Sequence, residues 1–260
     1  MRNPVEEAAA RLHAAARSRR PCAPVRDLIG AQDQAAAYAV QELGTRRRLA
    51  DGARLTGRKI GLTSAAVQNQ LGVDQPDFGM LFADMQVPDG ECAPAGRLLQ
   101  PRAEAEIAFV LGRDLNREAM TTDGVMHAIA YAVCAIEIVD SRIENWDIRI
   151  ADTIADNASA GLYVLGSRRM RLADVDLQAC TMVAKKNGAI VSQGTGAACL
   201  GNPINAALWL AETMVRAGRP LAAGDVVLSG ALGPMAAVAG GDRFAIEIQG
   251  FGAASVSFPR

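Results

Sequence analysis

The chain has 260 residues, half of them apolar but only 4% aromatic, and a formal net charge of −1. That is enough for one large domain with a core built mainly from Ala, Val, Ile and Leu, and it excludes wholesale disorder. The balanced charge lacks the clustered basic excess of a nucleic-acid binder, and no stretch approaches the ~18 apolar residues of a membrane span.

Residues 4–19 and 31–50 are Ala-rich and read as helices, separated by the two prolines of "RPCAP". The N-terminal stretch is charged throughout, with no apolar signal region, so a cytoplasmic location is expected. The second helix repeats apolar residues at helical spacing and stops at Gly52. Arg46, Arg47 and Arg48 fall near its end, where cations suit the helix dipole. "RLTGRKIGLTS" (54–64) reads as a short strand, "SAAVQNQLG" (64–72) as one or two helical turns capped by Ser64, and "QPDFGMLFADM" (75–85) as a loop. A strand over 103–112, a helix over 122–133 and a strand over 134–140 follow. After the polar "ADTIADNAS" come a strand at 160–166 and a hairpin over 180–193 turning at "KNGA". A helix is expected over 202–218, with Asn202 as cap, Pro203 in the first position and Gly218 as its stop. "DVVLSGAL" and "DRFAIEIQGFGAASVSF" supply the last strands. Helices first, then many strands with few helices between them, is an α+β pattern. It divides the chain into a helical N-terminal region, 1–50, and a β-rich domain, 51–260.

Three carboxylates stand out. In "PRAEAEIAFVLG" (101–112), Glu104 and Glu106 are two apart on a strand and so share a face. Glu137 lies in the apolar "VCAIEIVD". Burying such groups unpaired is costly. Either arginines such as Arg102 and Arg142 pair with them, or a hard divalent ion with oxygen ligands, Mg²⁺ or Mn²⁺, sits between them; spacing alone leaves both open. Lys59, on the strand "GRKIGLTS", is either an edge-strand gatekeeper or a desolvated amine of lowered pKa able to move protons. Asp77, in "QPDFG", reads equally as a turn residue. His13 and His127 lie outside these motifs, which counts against a Ser/His or Cys/His nucleophilic site. "SGALGP" lacks the phosphate-loop patterns. The five cysteines, odd in number and without a CxxC, suit a reducing compartment rather than a disulfide frame or zinc site.

In order along the chain, "GRKIGLTSAAVQNQLGVDQPDFGMLFADM", "LLQPRAEAEIAFVLGRDL", "AIEIVDSRIENWDI", "DTIADNASAGLYVLG", "CLGNPINAALWLA" and "LSGALGPMAAVAGGDRF" resemble the 2-keto-4-pentenoate hydratases of the fumarylacetoacetate hydrolase superfamily. The resemblance implies a fumarylacetoacetase-like mixed β-roll and a homo-oligomer. It implies that Glu104, Glu106 and Glu137 bind Mg²⁺ or Mn²⁺, that Lys59 and Asp77 are the acid/base groups, and that Ser159 and Leu81 contact substrate. The implied reaction is hydration of 2-hydroxypenta-2,4-dienoate to 4-hydroxy-2-oxopentanoate in the degradation of aromatic compounds, with a pathway decarboxylase or aldolase as a partner to consider. Two alternatives accompany it. Decarboxylases of 2-oxo-3-hexenedioate share Lys59, the Glu104/Glu106 pair and "DNAS", but differ around "QLGVDQPDFG" and "GALGPM". A non-catalytic subunit would bind metal and keto acid without turnover. Hydrolases of the superfamily use a His–Glu pair that these motifs lack.

Overall fold

Asn3 and Asp33 begin the fold by capping the two long helices of its N-terminal region. The computed structural model describes residues 3–64, 68 and 75–260. Helix α1 (Pro4–Ser18) starts with Asn3 accepting from Val5 N at 3.0 Å and with Pro4 in the first turn, a position where its missing N–H costs nothing. After a short α2 (Arg26–Ile29), Asp33 caps α3 (Gln34–Ala50) through Ala36 N. Near the end of α3, Arg46 pairs with Glu42 and Arg48 with Asp84.

The remaining chain builds two sheets. Strands β1 (Leu55–Gly61), β2 (Asp77–Phe82), β3 (Gln86–Val87) and β4 (Pro101–Leu111) are followed by α4 (Thr122–Ala128), β5 (Ile129–Asp140), α5 (Ile150–Ala155) and β6 (Ala160–Leu165). Then come β7 (Thr181–Lys186), β8 (Ala189–Thr195), α6 (Pro203–Arg216), β9 (Val226–Leu228), β10 (Ala236–Ala237), β11 (Arg243–Ile248) and β12 (Gly252–Ser257). The first sheet runs β2-β1-β9-β4-β5-β6-β3, with β10 added on β4; β1/β9 and β3/β6 are parallel and its other pairs antiparallel. The second, β12-β11-β7-β8, is antiparallel. The principal core fills the space against these sheets, with Phe109, Ile136, Tyr163 and Phe244 fully buried. A smaller core joins Leu12, Val25 and Val40 of the N-terminal helices to Ile143, Ile150 and Ile154. Tyr38 stacks on Phe78 at 4.5 Å, and Gln41 Nε2 donates to the carbonyls of Phe78 and Ile154. No helix among the described residues is long and apolar enough to cross a membrane.

Two elements differ from expectation. The segment at 75–85 is not a loop: residues 77–82 form β2, whose Pro76 stands just outside the ladder and removes no strand hydrogen bond. The helix expected to reach residue 133 ends at Ala128, because residues 129–133 pair with β4 from Leu111 back to Ala108. The ladder outweighs the modest helix preference of an Ala-rich run. The helical turns expected at 64–72 lie outside the described residues apart from Ser64 and Gln68.

Candidate active site

Strand register brings the site together. Glu104 stands directly opposite Glu137 in the β4/β5 ladder, and Glu106 stands opposite Ala135. Directly opposed side chains share a face, so all three carboxylates lie on one side of the sheet. The same face continues through Ala108 and Leu228 to Lys59 on β1, because Leu228 pairs with both. It reaches Asp77 and Leu81 on β2, opposite Gly61 and Gly57. Lys59, Asp77, Glu106 and Glu137 are each no more than 4% exposed; Glu104 is half-buried.

Two carboxylates directly across a ladder repel one another, and neither expected arginine forms an ion pair with them. Arg142 is occupied by Asp156 at 2.5 Å and by the carbonyls of Asp140 and Ala160. Arg102 lies 4.3 Å over the ring of Trp146. The cation present is Lys59, whose Nζ is 3.2 Å from Glu137 Oε1. That contact is an ion pair without hydrogen-bond geometry; the ammonium donates to Ala158 O at 3.1 Å, and both Glu137 oxygens lack a hydrogen bond. Nor is Lys59 an edge gatekeeper, since β1 is paired on both sides.

The electrostatics correct a further expectation. Burial alone pushes the Lys59 ammonium down, but Glu137, Asp77, Glu104 and Glu106 together outweigh it, so its pKa is raised, not lowered. Burial and then Glu137 push Glu104 up to about 7. Glu106 is raised by burial, Glu137 and Glu104; Glu137 is raised by burial against the opposing pull of Lys59. Burial also raises Asp77, with Lys59 and Thr153 restraining it. Asp77 Oδ2 accepts from Thr153 Oγ1 at 3.4 Å, while Oδ1 has no partner.

As they stand, no three of His, Cys, Asp and Glu among the described residues close around a common ion position. The donor set still fits a hard divalent cation. It is all oxygen, it concentrates negative charge around one lysine, and Glu137 offers two buried oxygens without hydrogen bonds.

Supporting residues surround these groups; Gly230 and Gly61 carry no signal in the sequence, whereas Ser159 of "DNAS" is one of the expected substrate contacts. Gly230, at φ 108°, donates its N–H to Glu106 Oε2 at 2.9 Å, and a Cβ there would meet Thr63 Oγ1 at 2.4 Å. A Cβ at Gly61 would lie 2.1 Å from Asp77 Oδ1. Residues Asn157, Ala158 and Ser159 form a turn in which all three have φ between 50° and 57°. Each left-handed non-glycine residue costs about 1–2 kcal/mol, with Asn the most tolerant. Ser159 Oγ in this turn is buried without a partner. A cleft of about 670 Å³ lies to one side, between α1, α3 and residues 97–99, lined by His13, Arg47 and Leu98. It reaches Asp156 and Asn157 but not Glu104, Glu106, Glu137, Lys59 or Asp77.

Comparison with known proteins gives the chain its relatives. Residues 58–258 match the family described as fumarylacetoacetate (FAA) hydrolase C-terminal. The chain is 62% identical over 253 residues to 2-keto-4-pentenoate hydratase 2 of Dechloromonas aromatica, covering 97% of each. It is 60% identical over 256 residues to the TodF product hydratase of Pseudomonas putida, covering 98% of this chain and 96% of the relative. Among solved structures, 4-oxalocrotonate decarboxylase from Pseudomonas putida G7, complexed with magnesium and adipate, superposes with a TM-score of 0.93 at 34% identity over 99% of this chain and 98% of that one. The chain belongs to the fumarylacetoacetate hydrolase family, and within it to the group whose members carry the name 2-keto-4-pentenoate hydratase.

Proposed function

We propose that the protein is a metal-dependent hydro-lyase that adds water to 2-hydroxypenta-2,4-dienoate to give 4-hydroxy-2-oxopentanoate, in the degradation of aromatic compounds. The observation that carries the reading is the single sheet face shared by Glu104, Glu106, Glu137, Lys59 and Asp77. The relatives' names supply the substrate class.

Glu104, Glu106 and Glu137 would hold the ion, Mg²⁺ or Mn²⁺. When bound, it supplies a Lewis acid for negative charge developing on the C2 oxygen of the substrate. Lys59, kept cationic by the surrounding carboxylates, acts from the acid side, donating to oxygen or delivering the proton that C5 gains as the enol loses its O2 proton. The product of that step is an α,β-unsaturated ketone. Asp77 Oδ1, buried and free of a hydrogen bond, orients water and takes its proton as hydroxyl adds at C4; a proton returned to C3 completes the balance. Positioned proton transfer of this kind contributes roughly 10²–10⁴-fold. Ser159 Oγ, also without a partner, offers its hydroxyl to the substrate carboxylate, and Leu81 supplies an apolar contact. A homo-oligomer, and association with a pathway decarboxylase or aldolase, belong to the same proposal.

Freshly prepared 2-hydroxypenta-2,4-dienoate, with Mg²⁺ or Mn²⁺, should lose its diene absorbance and yield 4-hydroxy-2-oxopentanoate. Release of CO₂ from 2-oxo-3-hexenedioate, without hydration of the dienoate, would reassign the protein as a decarboxylase. Turnover of neither would leave a non-catalytic binding subunit.

A further inference from the structure

Lys59 is held by more than its ion pair. Its ammonium donates to the carbonyl of Ala158, the middle residue of the left-handed turn at 157–159. That turn is fastened to β2 by one side chain. Asn157 Oδ1 accepts from Met80 N at 2.7 Å, and Asn157 Nδ2 donates to Met80 O at 3.0 Å. An asparagine amide offers both an acceptor and a donor, so it can satisfy both main-chain groups of one strand residue. The neighbouring Gly79, opposite Lys59 in the ladder, lets the turn approach: a Cβ there would lie 2.3 Å from Asn157 O and 3.2 Å from Lys59 Cδ. Arg142 ties down both flanks, bonding Asp156 on one side and Ala160 O on the other. Three successive residues in a costly backbone region persist only where the surroundings over-determine them, and these contacts do so.

We propose that Asn157 is a positioning residue: its amide clamps the left-handed turn to Met80, and the clamped turn fixes the Lys59 ammonium through the Ala158 carbonyl. The inference rests on the reading of Lys59 as the acid-side group, and it assigns Asn157 no contact with substrate.

The chain has only three lysines, Lys59, Lys185 and Lys186, and Lys185 is exposed, so amine labelling reports on Lys59 against an internal reference. The test is competitive acetylation with acetic anhydride, read by mass spectrometry as the Lys59:Lys185 ratio, on the wild type, Asn157→Gly and Gly79→Ala. Glycine adopts positive φ freely, so Asn157→Gly removes the two hydrogen bonds of the side-chain amide while relieving the backbone. The expected result is a Lys59 ratio raised about tenfold or more in each variant, beyond any change in the global unfolding midpoint. With the dienoate, kcat should fall about tenfold or more while KM stays within about twofold, as misplacement of a proton-transfer group demands. An unchanged ratio, or one that rises only in step with global unfolding, overturns the proposal. So does an Asn157→Gly enzyme with wild-type kcat, which would reduce Asn157 to a residue that merely tolerates its φ. If the ratio rises but the wild type does not hydrate the dienoate, the clamp stands and the role given to Lys59 falls.

Discussion

Strands β4 and β5 have two faces of opposite purpose. On one, Ala103, Ala105, Ile107 and Phe109 pack with Ile136 and Ile138 in the core, every one of them no more than 2% exposed. On the other, Glu104, Glu106 and Glu137 are crowded where burial opposes the charge of all three and Glu137 repels the other two. The same backbone therefore gains stability on one side and gives some back on the other, and the apolar face is what allows the carboxylate face to exist. The sharpest way to break this comparison is Phe109→Ala. Removing a fully buried ring should cost about 3–5 kcal/mol of unfolding free energy, read by urea titration, while the activity of the fraction that remains folded changes little. A loss under about 1 kcal/mol would mean that the apolar face is not the support.

Glu106→Gln probes the other face and should show the inverse pattern. It keeps the side-chain shape and the acceptor for Gly230 N–H but removes a charge. Hydratase activity should fall by about 100-fold or more, on the scale of losing one strong electrostatic contact to a developing charge, and the response to added Mg²⁺ should weaken. The metal-free protein should be as stable as the wild type or more so, because a repelling charge has gone. Unchanged activity together with unchanged metal response refutes Glu106 as a ligand.

A pH series sharpens the comparison without mutation. In the metal-free protein, Glu104 is raised to about 7 by burial and then by Glu137, and Glu106 and Glu137 are raised in the same direction. A carboxyl whose folded pKa exceeds its unfolded value binds its proton more tightly when folded. Its contribution is fully present below the ordinary Glu pKa of about 4.3 and is lost as pH rises through about 7. Stability of the chelator-treated protein should therefore decline between about pH 4.3 and 7, by at most ~1.4 kcal/mol per pH unit per proton. Saturating divalent metal should flatten that decline, and metal binding should release protons. A metal-free stability that rises over this range would contradict the crowding.

Part of this site was legible in the sequence and part was not. The shared face of Glu104 and Glu106 follows from strand periodicity alone, and Asn202 with Pro203 marks the start of α6 correctly. That Glu137 would stand directly across from Glu104 was not legible, because it depends on the β4/β5 register. β5 begins at Ile129, five residues before the strand that the sequence pattern predicts, because these Ala-rich residues join a strand only where a partner is there to pair with. Pro76 and Gly79 give β2 the sequence signature of a loop, yet Gly79 is needed so that Asn157 and Lys59 can approach. Neither sequence alternative for Lys59, an edge gatekeeper or a desolvated amine of lowered pKa, matches the structure. Desolvation alone lowers a lysine, and the carboxylates that reverse the sign gather on one face only in the assembled sheet.

The smallest effect concerns the ion-pair alternative for the carboxylates. Arg102 is two residues from Glu104 on the same strand face, but its guanidinium lies over Trp146 and its Nη1 is 3.7 Å from Met235 Sδ. Arg102→Met should cost only about 0.5–1 kcal/mol, the scale of an accessible cation–π contact. Its sign on metal binding is the informative quantity. Arg102 lowers the Glu104 pKa from a distance, so removing it withdraws a positive charge near the ligands, and affinity for Mg²⁺ should hold or rise slightly. If the arginine were instead the true partner of Glu104, the variant would strand a half-buried carboxylate, and stability in metal-free buffer would fall by about 3 kcal/mol or more. Urea titration and calorimetric metal binding on the same preparation separate these outcomes.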